Sequence, residues 1–170
     1  GRTIYHALTA MLVLLVLFKS PFAPAETVAM DGHGMNPLLQ DPWMAVHPPI
    51  IFVGYALLAV PFVYSLESMI KAPMDGSFLA PMRRWTLIAW AFLGAGIFIG
   101  GYWAYKVLGW GGYWGWDPVE NSSLVPWLLA CVLLHLISIA RRRRGAFYLV
   151  HLAATFSYAF VLYGTFLTRS

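Results

Sequence analysis

The chain has 170 residues, of which 60% are hydrophobic and 11% charged. A soluble domain carries roughly 25% charged residues, so too few polar side chains are present to coat a water-soluble globule, and the composition points to an all-α, polytopic integral membrane protein. The net charge of +4 owes most to Arg141–Arg144; membrane topology explains such a run, and no nucleic-acid partner is expected.

Five apolar stretches approach the roughly 20 residues that a membrane helix needs: about 5–18, 49–66, 85–105, 124–140 and 147–167. The first is short. Arg2, the apolar run and "APA" at 23–25 also resemble a signal peptide with its cleavage site; a retained helix is expected, and either reading leaves the following linker on the same side. That linker ends in "DPWMAVHPP". Pro48 and Pro49 stiffen the chain after His47, so the second helix is expected to begin at Pro49, with His47 just outside it. Pro61 and Pro126 interrupt two stretches, which membrane helices tolerate. Lys71, Arg83 and Arg84 fall in the second linker and Arg141–Arg144 in the fourth. The first and third hold only Lys19 and Lys106. The positive-inside rule therefore puts the first and third linkers on the outer side. The lone cysteine, Cys131, permits no internal disulfide and reads as a packing residue.

The third linker reads "WGGYWGWDPVEN" from Trp110 to Asn121. Trp and Tyr gather at membrane interfaces in ordinary membrane proteins. Asp117-Pro118-Val119-Glu120 suits a helix start, with Asp as N-cap, Pro next and Glu at the third position. The ring density exceeds what anchoring needs, and the interleaved glycines clear space beside the rings. Such a stretch suits a large planar apolar ligand with polar edges, of which a porphyrin is one. His135 lies eleven residues past Leu124, about 16 Å along a helix, near the bilayer midplane. An ionisable group there should face the protein interior, and imidazole is a common axial ligand of haem iron. His6, His33 and His151 read as structural.

"WGGYWGWDPVEN" followed by "SSLVPWL", with "MNPLLQDPWMAVHPP" upstream and "GTFLTRS" downstream, resembles the tryptophan-rich haem-handling family of cytochrome c biogenesis, most closely its CcmF branch. The resemblance covers 34–170. It implies one transmembrane domain, 1–170, within a longer protein, with 109–123 as the haem-handling segment. Trp110, Gly111, Trp114, Trp116 and Asp117 would hold haem, with Glu120 and Asn121 beside them; Tyr113 and Gly115 depart from the bulkier residues of many relatives. His47 matches an external haem-iron ligand and His135 an axial ligand of a membrane haem b, their partner ligands lying beyond Ser170. The family's partners are a haem chaperone, apocytochrome c with its thiol-presenting maturation subunits, and membrane lipid. The expected location is the bacterial inner membrane, multi-pass, with the tryptophan-rich segment outside. The implied function is haem handling and ligation in cytochrome c maturation, by thioether formation between haem vinyl groups and CxxCH cysteines. No Ser/His/Asp or Cys/His nucleophile arrangement accompanies it, so "lyase" is a loose label. A haem or small-molecule transporter and a purely structural assembly subunit are the alternatives.

Overall fold

Two Asp-Pro steps decide where helices begin. At each, the aspartate accepts amides of the first turn, and proline follows at the position where its missing N–H costs nothing. Asp41 Oδ1 accepts the Trp43 amide at 2.9 Å, and Asp117 Oδ1 accepts those of Val119 and Glu120 at 2.6 and 3.0 Å. The computed structural model describes residues 1–18, 32, 34–71, 76–109 and 111–168; Trp110 and the tripeptide at 23–25 lie outside them. Five α-helices follow in order: α1 Arg2–Phe18, α2 Pro42–Lys71, α3 Leu79–Val107, α4 Pro118–Ala140 and α5 Phe147–Leu167. The chain is a multi-pass membrane protein, all-helical as its composition requires. Among the described residues, α2 to α5 are long and apolar enough to cross a bilayer, whereas α1 has 17 residues and is shorter.

The helices extend beyond the expected apolar stretches at α1, α2, α3 and α4. Apolar windows find the part of a helix that suits lipid, but a helix runs on until its cap. The second helix therefore starts at Pro42 rather than Pro49, so His47 stands in its second turn, and Pro48 and Pro49 are interior to it. The fourth starts at Pro118, where Asp117-Pro118-Val119-Glu120 suggests a helix start, a turn and a half before the apolar stretch opens at Leu124.

The helices alternate in direction. One end gathers the start of α2, the end of α3, the start of α4 and the end of α5; we call it the aromatic end. The other carries Arg83, Arg84 and Arg141–Arg144; we call it the basic end. Two apolar clusters fill the interior. Phe78, Met82, Leu133, Ile137 and Val150 pack toward the basic end, and Leu58, Leu93, Ala130, Tyr158 and Val161 nearer the aromatic one. The α2–α3 contact is close because glycine allows it: a Cβ on Gly54 would stand 2.8 Å from the Leu93 nitrogen, and one on Gly96 2.9 Å from Ile51 Cγ1. Small residues at such crossings are what packing in lipid favours. The buried hydroxyls of Thr86 and Ser157 turn back onto their own helices, to the Met82 carbonyl at 2.8 Å and the Ala153 carbonyl at 2.7 Å, which satisfies these donors within an apolar medium.

Candidate functional site

His47 reaches from α2 to the backbone of α3. Its Nδ1 is 2.7 Å from the Gly96 carbonyl oxygen. A carbonyl only accepts, so Nδ1 carries a proton, and in the neutral ring Nε2 is the nitrogen with the lone pair. The half-buried ring lines a cavity of about 440 Å³ at the aromatic end, together with Trp103, Trp114, Asp117, Glu120 and Ser123. A clasp holds this turn of α2 against α3. Lys106 Nζ lies 2.8 Å from Asp41 Oδ2, Trp103 Nε1 donates to the Leu38 carbonyl at 3.3 Å, and Trp43 meets Tyr102 edge-on at 5.2 Å. The hydrogen bond from the Lys106 ammonium, aided by the Trp43 amide, holds the Asp41 carboxyl below its ordinary value of 3.8.

The tryptophan-rich segment closes over this end. Gly111 turns it with φ +72°, which a residue without Cβ takes freely. Tyr113 stacks on Tyr105 of α3 at 4.4 Å and 7°. Trp116 sits at φ 57°, a left-handed backbone that costs a bulky residue about 1–3 kcal/mol. Three side chains of "DPVEN" hold it there. Asp117 caps α4, Glu120 Oε2 accepts the Gly115 amide at 2.6 Å, and Asn121 Nδ2 donates to the Trp116 carbonyl at 3.0 Å. Glu120 thus reaches past the cap residue to Gly115, an extended form of the capping box.

Trp114, with Ile97 and Gly101, lines two cavities. It lines the one that holds His47 and also a second, of about 480 Å³, bounded by Phe98, Tyr113, Trp116, Leu124 and Trp127. Below it, Trp127 stacks on Trp90 at 5.5 Å and donates to the Trp90 carbonyl at 3.2 Å. The indole N–H of Trp114 is buried and has no hydrogen-bond partner among the described residues. An unmatched buried donor costs about 1–3 kcal/mol, so a ligand acceptor would be favourable there.

The residues singled out in the sequence are thus divided. His47, Trp114 and Asp117 share one cavity; Trp114 and Trp116 share the other. Gly111 turns the segment and lines neither. Asp117 spends its Oδ1 on two amides of α4. Trp110 lies outside the described residues.

His135 stands apart. It lies about 25 Å past Pro118 and about 8 Å short of Ala140 at 1.5 Å per residue, so it is in the basic half of α4 and not near its middle. It is exposed beside Leu128, Val132 and Ile139, not turned to the interior of the described helices. The reason is helical phase: α4 gives Leu133 and Ile137 to the core, which points residue 135 away. Its Nδ1 is 2.8 Å from the Cys131 carbonyl, so by the same logic the lone pair of the neutral ring is on Nε2. Gly96, Trp103 and Trp127 were not singled out from sequence. "GAGIFIGG" at 94–101 carried the only local signal, a run of small residues where another helix or ring can approach.

The sequence profile described as Cytochrome C assembly protein matches residues 2–170. The Cytochrome c-type biogenesis protein ccl1 of Rhodobacter capsulatus is 45% identical over 161 residues, covering 95% of this chain and 25% of that protein. CcmF of Pseudomonas aeruginosa is 41% identical over 163 residues, again 95% and 25%. A solved structure titled Cytochrome c Heme Lyase CcmF superposes with a TM-score of 0.68 at 47% identity, covering 77% of this chain and 22% of that one. The chain spans about a quarter of the length of these curated relatives.

Proposed function

Because the chain belongs to the Cytochrome C assembly protein family, we propose that it is the haem-presenting part of a longer protein of cytochrome c maturation, with the aromatic end on the outer side of a bacterial inner membrane. The cation count by linker supports that orientation. The observation that carries the reading is the shared cavity: His47, whose Nδ1 is engaged by the Gly96 carbonyl, and Trp114, whose buried indole N–H has no partner among the described residues, line one polar-edged, otherwise apolar space. A porphyrin needs one nitrogen lone pair for its iron, flat apolar walls and a few donors at its rim, and this donor set fits. In this reading haem is the substrate of the outer site and His47 supplies one axial nitrogen. Trp114 supplies a wall and a donor. Asp117, Glu120 and Asn121 fix the backbone that carries Trp114 and Trp116. Gly111 and Trp110 belong to the same segment, 109–123.

Joining haem to a CxxCH motif adds a thiol across a vinyl group. One C–S bond forms and the hydrogen goes to the neighbouring carbon, with no net redox change. The protein's share is to hold the ring in place and keep competing water away. Apocytochrome c, its thiol-presenting subunits and a haem chaperone would meet the aromatic end. His135 would give its Nε2 to a haem b inside the membrane, which supplies one-electron redox chemistry when bound. Its exposed face would then be covered by another part of the longer protein, since an ionisable group facing lipid is costly.

The test is His47→Gly in the full-length protein, assayed for cytochrome c maturation with and without added imidazole. Loss that imidazole restores is expected. Full activity without imidazole would refute ligation by His47.

A further inference from the structure

We propose that Gly100 of α3 is a positioning residue for His47: the bare α-carbon is the seat of the imidazole, and α3 rather than α2 sets where Nε2 points. This inference takes the reading of His47 as an iron ligand as its premise. A Cβ built on Gly100 would stand 2.5 Å from Cε1, 2.7 Å from Nδ1 and 3.1 Å from Nε2 of His47. These three ring atoms are its nearest neighbours, so a side chain at 100 would act first on the imidazole.

Gly96 stands one helical turn earlier on the same face. In the α-helical pattern its carbonyl is the acceptor for the Gly100 amide, and that carbonyl also takes the His47 Nδ1–H at 2.7 Å. The ring therefore lies along one turn of α3. The carbonyl of Gly96 fixes which nitrogen is protonated, and the missing Cβ of Gly100 lets the ring lie close enough to reach it. Relief of the clash requires the ring to withdraw from 2.5 Å to an ordinary contact near 3.4 Å, by about 0.9 Å. A like withdrawal along the Nδ1–H bond would stretch it to about 3.6 Å, beyond hydrogen-bonding distance. The imidazole would then lose both its direction and its fixed tautomer. Loss of the group that orients a metal-binding histidine typically weakens metal affinity 10–100-fold. The α2–α3 crossing serves the same end, because a Cβ on Gly96 would stand 2.9 Å from Cγ1 of Ile51, one turn along α2 from His47.

The test uses the full-length protein with 15N-labelled histidine in lipid nanodiscs, the His47 resonances being identified by their loss in His47→Gly. The wild type should show His47 with Nδ1 protonated and Nε2 bare. Gly100→Ala should replace that signature by a tautomer mixture and lower haem affinity, read by Soret titration, 10–100-fold. Gly145→Ala, at an open position of the basic end, should change neither. An unchanged tautomer and affinity in Gly100→Ala would overturn the seat. If His47→Gly kept full haem affinity, the ligand reading would fail, and the seat would still be judged on the tautomer signature. Should Gly100→Ala fold poorly, Gly100→Ala/His47→Gly should recover the melting temperature of His47→Gly, because the vacated ring leaves room for the methyl group. A double variant no more stable than Gly100→Ala would show that the methyl group collides elsewhere, and would overturn the proposal.

Discussion

Replacing Asp117 separates two jobs that an aspartate beside a haem site can do. Its Oδ1 accepts the amides of Val119 and Glu120 at 2.6 and 3.0 Å, which satisfies two of the free amide donors at the start of α4. Ala at an N-cap costs about 0.5–2 kcal/mol. Asp117 is exposed, so water can take over part of the bonding, and a loss of about 1 kcal/mol is expected, roughly a fivefold change in the local equilibrium. The cap also anchors the turn that holds Trp116 in its left-handed conformation, so Asp117→Ala should loosen the tryptophan-rich segment and lower maturation. Asn caps as well as Asp and carries no charge. Asp117→Asn should therefore keep both the melting temperature and the maturation rate. The assay is thermal unfolding of the full-length protein in detergent, with cytochrome c maturation measured on the same variants. If Asp117→Asn falls as far as Asp117→Ala in either readout, the carboxylate charge is what matters and the capping argument is wrong.

Trp114→Phe removes a buried N–H that has no partner among the described residues; it should leave ligand-free stability unchanged or raise it by up to about 1 kcal/mol, while Soret titration shows weaker haem retention. His135→Ala should abolish or shift the membrane haem's Soret and α bands without changing imidazole rescue of His47→Gly; an unaltered spectrum would make His135 a packing residue. In a Cys131→Ser background, an impermeant thiol reagent should label Met35→Cys from outside intact cells and Gly145→Cys only after lysis, and the reverse pattern would invert the orientation. Asp41 has its carboxyl pKa depressed in the folded state by Lys106, so the clasp is complete at neutral pH and weakens as pH falls below about 4. Acid unfolding of the full-length protein should lose that component in Lys106→Ala.

The helical class, the alternation of the apolar segments and the start of α4 at Asp117-Pro118 are local matters. They depend on runs of apolar residues and on caps that act within one turn, and both can be read along the chain. The same Asp-Pro step stands at Asp41-Pro42, where α2 begins. A helix already begun carries Pro48 and Pro49 in its interior, so His47 came to lie on a helix face rather than at an end. What no local pattern could decide is which way each imidazole points. His47 turns inward because glycines at 96 and 100 let α3 come within hydrogen-bonding distance. His135 turns outward because Leu133 and Ile137 take the core side of α4. The place of Trp114 in the lining of two cavities likewise needs α2, α3, α4 and the tryptophan-rich segment at once. Helix formation is settled by contacts three or four residues apart, whereas a site at the meeting of several helices is settled by how closely their backbones can approach.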